Sequence, residues 1–278
     1  QLTVIQNEKQ LHLECRKVIL ATGGFGASKE LIKQYAPQYA DFKTTNQEGA
    51  TGDGLRLAQS LGAQLIQLNL VQIHPTVQQD NQHTYLIGET VRGEGAILVN
   101  NAGKRFVNEL DTRKKVSNAI IAQPTGHAYL ILDQKVFQRV KALGFYQSVG
   151  LVEQADTLAE LASQINLDQQ HLRETVTEWN AAVKKQNDAQ FGRHTGMRTL
   201  DTAPFYAIHV APAVHYTMGG IHIDKETHVL DENGNVIPGL FAAGEVAGGL
   251  HGNNRVGGNS IAETIVFGRQ AGIQSSKD

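Results

Sequence analysis

The sequence lacks most of what would tie it to an oxidising compartment, a membrane or a nucleic acid. Among 278 residues there is one cysteine, Cys15. That excludes an internal disulfide, a Cys-rich zinc or iron–sulfur site and a C-x-x-C-H haem attachment. Cys15 closes the alternating run Leu11-His12-Leu13-Glu14-Cys15, and an inert core thiol is the expectation. No apolar run approaches the roughly 18 residues of a membrane-spanning helix. There is no charged n-region or signal h-region, so a cytoplasmic location is expected. Neither sign of charge dominates: 25 Lys and Arg against 27 Asp and Glu give a net −2. A basic face for nucleic acid and an acidic solvating tail are both excluded. The chain does not open with Met, and it carries no G-x-G-x-x-G turn of the kind that grips a dinucleotide. Gly244-Glu245-Val246-Ala247-Gly248-Gly249 does not fit that spacing. The chain therefore reads as the later part of something longer. If a dinucleotide binds, its pyrophosphate turn is expected upstream of Gln1.

What is present is glycine, 28 residues or one in ten, against a usual share of about 7%. The excess recurs in short clusters, which suits loops that approach something closely. Hydrophobic residues make up 41% and charged residues 19%, enough for a sizeable core, and the length suggests roughly two domains. The first residues alternate as a β-meander, and Lys17 to Ala21 reads as a strand buried on both faces. A helix is expected from Ser28 to Tyr35. A second begins at Thr51-Gly52-Asp53-Gly54, with Leu55, Leu57, Ala58 and Leu61 at helical spacing. Strands follow at Gln64 to Ile73, Tyr85 to Ile87, Ala96 to Val99 and Arg105 to Val107. The last two flank a turn at Asn100 to Lys104, where Lys104 and Arg105 are expected in solvent. Thr112 to Ile121 reads as a helix, Ala128 to Leu132 as a strand, and Gln134 to Lys185 as mainly helical, with Trp179 a core anchor. Strand character returns at Tyr206 to Val210, His215 to Ile223, a hairpin over Val229 to Ile237, and a buried strand at Leu240 to Glu245. A final helix runs from about Gly258 to Ser275.

Two buried strands end in glycine more than 200 residues apart, at Ala21-Thr22-Gly23-Gly24 and Ala242-Ala243-Gly244-Glu245. Strand ends of this kind build the ligand crevices of open α/β sheets, and an acid after a strand can accept from a ribose hydroxyl. Several cations and imidazoles also sit in unusual places. His74 precedes Pro75-Thr76, Glu89 and Arg92 lie three apart before Gly93-Glu94-Gly95, and Arg113 follows Asp111-Thr112 at a helix start. Arg255 lies within the glycine-rich run His251 to Asn259. A surface Arg needs no glycine cradle, so Arg255 suggests a cation aimed at an anion.

Six blocks then align in order. They are His74-Pro75-Thr76, Glu89 to Asn100, Gly103 to Glu109, His215 to Ile221, Gly239 to Glu245, and the Arg255 loop leading into Gly257-Gly258-Asn259-Ser260-Ile261. Together they resemble the flavoproteins of the fumarate reductase/succinate dehydrogenase family. The soluble flavocytochrome c-type fumarate reductases are nearest, because Asn108-Glu109-Leu110-Asp111-Thr112-Arg113 matches their Asn-Glu-x-x-x-Arg segment. The resemblance implies an α/β fold: an incomplete, Rossmann-like FAD-binding domain at 1–73 and 216–278, with an α+β capping domain inserted at 74–215.

The resemblance also implies FAD-dependent reduction of fumarate to succinate, with an electron-donor domain or protein outside this chain. Arg113 matches the proton-donating arginine, and Glu89 and Arg92 the path that reloads it. His74, His215 and Arg255 match positions that hold substrate carboxylates. Ala21, Thr22, Gly23, Asp53, Gly244, Glu245, Ser260 and Ile261 match flavin contacts, and no metal is implied. The chemistry is coherent, because hydride addition to a dicarboxylate double bond needs its developing negative charge stabilised away from water. Gly88 and Tyr216 depart from the pattern, where relatives carry a hydroxyl residue and, in some, a second histidine. Urocanate or methacrylate is therefore an alternative substrate. Lacking the pyrophosphate turn, the 278 residues alone are expected to hold FAD weakly or not at all and to be inactive, a non-catalytic apo module being the other reading.

Overall fold

Asn7 and Glu8 take positive φ, and this reverses the chain between Leu2–Gln6 (β1) and Lys9–Leu13 (β2), which pair antiparallel. A computed structural model describes residues 2–277 and divides them into two compact units. The first holds residues up to 41, residues 46–72 and residues from 215 onward; the second holds 42–45 and 73–214.

In the first unit, the β1–β2 ribbon keeps Ile5, Leu11 and Leu13 exposed. Cys15, at its foot, is exposed as well, which corrects the expected core thiol: the alternation reflects a solvated ribbon rather than a buried face. Val18–Leu20 (β3) follows. Ser28 caps Lys29–Tyr35 (α1), accepting from the Leu31 N–H, and the left-handed Gly52 leads into Asp53–Ser60 (α2). Of the four apolar positions at helical spacing, Leu55 and Ala58 on α2 are buried, while Leu57 and the C-cap residue Leu61 face solvent. Leu65–Ile66 (β4) and Val71–Gln78 (β5) replace the single strand expected over 64–73, because Gln67, with φ of 55°, turns the chain between them.

β5 carries the chain into the second unit, where Tyr85–Leu86 (β6), Glu89–Gly93 (α3), Ile97–Val99 (β7), Arg113–Ile121 (α4) and Ala128–Asp133 (β8) follow. Gln134–Arg139 (α5), Ala142–Ser148 (α6), Glu153–Ala155 (β9), Leu158–Gln164 (α7) and Gln169–Lys185 (α8) complete the helical stretch. The sequence reading had missed β9, three residues paired to Phe205–Thr217 (β10). The sheet order is β6-β5-β10-β8-β7, with β9 also on β10. β8 and its neighbours bury Ile97, Leu98, Leu130, Ile131, Leu132 and Ile208 completely, each worth roughly 1.5–3 kcal/mol of apolar transfer. α8 turns Leu172, Val176, Trp179 and Val183 inward, at the spacing of one helical face. Trp179 is 1% exposed and donates to the Arg198 carbonyl at 2.8 Å.

Arg105 to Val107 is not a strand. It makes one bridge to Val99, because the Arg105 side chain is drawn inward. Arg105 is 8% exposed, correcting the expectation of a solvated hairpin residue. It donates to Glu109 Oε1 and Oε2 at 2.8 and 2.9 Å and to Asp188 Oδ2 at 2.9 Å. Arg193, fully buried, donates to Glu109 Oε2 at 3.1 Å, and both guanidinium groups lie over the Trp179 ring. Five buried side chains thus form one satisfied ionic core.

β10 returns the chain to the first unit, followed by Gly220–Ile221 (β11), His228–Leu230 (β12), Val236–Ala242 (β13) and Asn259–Ser275 (α9). β13 pairs in parallel with β3, setting Leu240, Phe241 and Ala242 beside Val18, Ile19 and Leu20. Among the described residues β3 lies at the end of the order β12-β13-β3, and Ile19 is 39% exposed. Burial on both faces holds for Leu240 to Ala242 but not for β3, which has a neighbour on one side only among the described residues.

Candidate functional site

β5, which runs from the first unit at Val71 and Gln72 into the second, is buried along its whole length, and its even positions are polar: Gln72, His74, Thr76 and Gln78. Alternate residues share a face of a strand, so the strand carries a buried polar stripe. His74, 1% exposed, accepts at Nδ1 from the Thr76 N–H at 3.3 Å, which leaves the proton of a neutral ring on Nε2.

Three of the sequence-predicted residues come together on α3 and α4. Thr112 caps α4, accepting from the Lys115 N–H, and Arg113 is the first helical residue. A cation there faces the positive end of the helix dipole. Glu89 offsets that cost: Arg113 Nε donates to Glu89 Oε1 at 2.7 Å. Arg92, one turn along α3 and 2% exposed, holds Nη2 at 3.9 Å from the same oxygen. Its Nη1 donates to the Glu109 carbonyl at 2.6 Å. Burial, with Arg113 and Arg193 nearby, pulls the Arg92 guanidinium down to about 10, against the opposing pull of Glu89 and Glu109; it stays cationic at neutral pH. Glu89 is 41% exposed while Arg113 is 9% exposed, so the carboxylate connects solvent to a buried guanidinium. Asp111, the simpler partner for Arg113, pairs with Lys115 at 3.1 Å.

In the first unit, the parallel pairing of β3 and β13 brings the two glycine-rich strand ends side by side. Ala21 and Thr22 are exposed, Gly23 has φ of 76° and Gly244 of 78°. A Cβ on Gly24 would meet Thr217 Oγ1 at 2.1 Å and Glu245 Oε1 at 2.6 Å, and one on Gly54 would meet Thr22 Oγ1 at 2.0 Å. Only glycine lets these segments close on one another. Glu245 Oε1 accepts from the Thr217 N–H at 2.8 Å and its hydroxyl at 3.2 Å. Asp53 stands at the start of α2, exposed and paired with Arg56 at 3.4 Å. Ser260 and the exposed Ile261 lie in the first turn of α9.

Burial raises the Glu245 carboxyl to about 7 in spite of the two Thr217 hydrogen bonds; Glu263 adds to the rise and Arg255 opposes it. A folded-state value above the unfolded one means that the stability is complete below about pH 4.5 and is lost as pH rises through about 7. The loss approaches about 3 kcal/mol. The melting temperature should therefore fall from pH 5 to pH 8 by several degrees more for the wild-type chain than for Glu245→Gln. Parallel profiles would remove Glu245 from the pH response.

His215 and Arg255 also belong to the first unit. His215 is half-buried in the last turn of sequence of β10, and Arg255 is 2% exposed. Of the residues around Arg255, Tyr216 is expected only as a departure from the family pattern, and no role is expected for Glu263. Tyr216 underlies Arg255 with 4.4 Å between guanidinium carbon and ring centroid. The Tyr216 hydroxyl donates to Glu263, and His251 Nε2 lies 2.6 Å from the same carboxylate oxygen. One signal was available: Glu263 is the one charged residue in the mainly apolar stretch Ile261 to Phe267 of α9.

Parallel strands with glycine-lined carboxyl ends, a helix start nearby and a partly buried acid are the arrangement with which α/β proteins hold nucleotides. The chain belongs to the FAD binding domain family, whose model matches residues 2–261. It is 45% identical over 276 residues, 99% of its own length, to an NADH:fumarate oxidoreductase of Klebsiella pneumoniae, of which it covers 30%. To a fumarate reductase (cytochrome) of Shewanella frigidimarina it is 45% identical over 260 residues, covering 94% of this chain and 45% of that one. The open conformation of a flavocytochrome c3 fumarate reductase superposes with a TM-score of 0.77 at 43% identity, over 94% of this chain and 46% of that structure. The chain thus spans less than half the length of these relatives. Among the described residues no helix is long and apolar enough to cross a membrane.

Proposed function

We propose that the whole protein reduces fumarate to succinate, with the first unit contributing to the FAD site and the second acting as the substrate-side cap. The observation that carries this is the 2.7 Å pairing of Arg113 with the half-exposed Glu89, beside the buried Arg92. FAD, when bound, supplies the hydride. Ala21, Thr22, Gly23, Asp53, Gly244, Glu245, Ser260 and Ile261 would hold it. Gly23 and Gly244 take left-handed backbone, and a Cβ there would meet nothing within 4 Å at Gly23 and only Thr264 at 3.6 Å at Gly244, which leaves the backbone open to a flat ligand. His74, His215 and Arg255 bind the carboxylates and fix one of them as charge develops. Arg113 gives a proton to the carbon next to the one that receives hydride, and Glu89 returns a proton to Arg113 from solvent. Arg92, 3.9 Å from the same oxygen, keeps Glu89 aimed between uses. Electrons reach the flavin from a domain or protein outside this chain.

Gly88 and Tyr216 keep a second enoate in play. A Cβ at Gly88 would meet only the Tyr146 hydroxyl, at 3.8 Å, so the position has room that a hydroxyl side chain would fill. A panel of fumarate, urocanate and methacrylate, assayed on the full-length protein with reduced viologen, tests the reading. Fumarate should turn over at least tenfold faster than the others, and a preference for a monocarboxylate would overturn the assignment. The 278 residues alone should bind FAD with a dissociation constant above about 0.1 mM by calorimetry. A pyrophosphate held at a glycine-rich helix start is a main anchor of a dinucleotide, and that turn is not among these residues. Tight binding would overturn this part.

A further inference from the structure

Arg255 is held more closely than a loop arginine needs. Its carbonyl accepts from Gln72 Nε2 at 2.8 Å, fixing the backbone, and Nη1 donates to the Val256 carbonyl at 3.0 Å. Beneath the guanidinium lies the Tyr216 ring, its centroid 4.4 Å from the guanidinium carbon. That ring is itself locked. Its hydroxyl donates to Glu263 Oε2, and His251, which donates to the same oxygen, packs edge-on against the ring at 5.7 Å and 74°. Glu263 is 4% exposed, and its Oε1 has no hydrogen bond among the described residues. A half-satisfied buried carboxylate costs stability, and an apolar residue would fill the same space on α9. Its retention needs a purpose other than packing, and the geometry supplies one.

We propose that Tyr216 is a positioning residue: its ring, fixed by Glu263 and His251, is the platform that orients the Arg255 guanidinium toward a substrate carboxylate. The inference rests on the reading of Arg255 as a carboxylate ligand and deepens it. A guanidinium stacked on a ring keeps its in-plane N–H fork directed at the edge, the geometry that bidentate carboxylate binding requires. A buried cation–π contact is strong enough to change affinity about tenfold when lost.

The test uses the full-length flavoprotein, with succinate binding followed by calorimetry and fumarate reduction by steady-state kinetics. Tyr216→Leu should raise the succinate Kd and fumarate KM about tenfold, with kcat falling less. Tyr216→Phe, which keeps the ring, should stay within about threefold of wild type. Arg255→Met should weaken succinate binding more than either. The double variant Arg255→Met with Tyr216→Leu should be no weaker than Arg255→Met alone, since both changes remove one interaction. Should Tyr216→Leu fail to fold, Glu263→Gln takes its place. It should raise Kd about threefold in the wild type and have no further effect in Tyr216→Phe, because the acid acts through the hydroxyl. Unchanged binding in Tyr216→Leu with weakened binding in Arg255→Met overturns the platform, as does additivity in either double variant. Unchanged binding in Arg255→Met overturns the carboxylate-ligand reading instead.

Discussion

Arg113→Gln in the full-length protein should abolish fumarate reduction while the flavin stays bound and reducible. Loss of a general acid alone removes about 10²–10⁴-fold, and loss of a positive charge beside the developing carbanion adds to it. Gln has no proton of comparable acidity to give, although it can still hydrogen-bond Glu89. Lys at the same position should keep some rate, because an ammonium donates, but its single point charge has a different reach from the guanidinium fork. The pairing at 2.7 Å with Glu89 also allows a purely structural role, which predicts a lower melting temperature with a near-normal kcat. Measuring both on one sample separates the roles: a stable Arg113→Gln protein with wild-type kcat would take Arg113 out of the mechanism.

The largest stability effect should come from Glu109→Ala in the second unit. Glu109 is fully buried and accepts from Arg105 twice, from Arg193, and from the Leu98 N–H at 3.3 Å. Removing it leaves two buried guanidinium groups above Trp179 with a single carboxylate, Asp188, in contact with Arg105. Breaking a buried ion pair from one side typically costs about 3–5 kcal/mol, or roughly 10 °C for a unit of this size. Calorimetry on Glu109→Ala and Glu109→Gln checks it. A fall of less than about 3 °C in Glu109→Ala would mean that the network is solvated in solution.

Those two predictions draw on different layers of legibility. The elements came from hydrophobic period and capping: Ser28 before α1, Thr112 before α4, and the Asn233-Gly234 turn before β13 are all readable locally. Arg113, Glu89 and Arg92 came from a motif, and the structure brings them into contact. Cys15 and Ile19 went astray because alternation and apolar runs report the shape of a strand without reporting whether anything covers it. Arg105 went astray for a related reason. Its partner Asp188 is 83 residues distant, and a charge next to a turn carries no local sign that a carboxylate and an indole await it. Tyr216 reads in the sequence as a departure that leaves room for another enoate, and its contact with Glu263, 47 positions further on, carries no local sign. Local chemistry names the residues, but partners closed by tertiary contact come only with the fold.

The pairing of β3 with β13 has a consequence for the order in which the chain can be made. Leu20 and Ala242 are neighbours in a parallel ladder, yet more than 200 residues are synthesised between them. At about 5–20 residues per second, the ribosome takes roughly 10–40 s to deliver the second strand after the first has emerged. During that interval residues 73–214, which form a unit of their own, can complete their sheet from contiguous sequence. β3 waits through the same interval for β13, its partner in the parallel ladder. Nascent chains thus carry residues 73–214 complete while the β13 side of β3 is still unpaired, an edge that a holdase would shield.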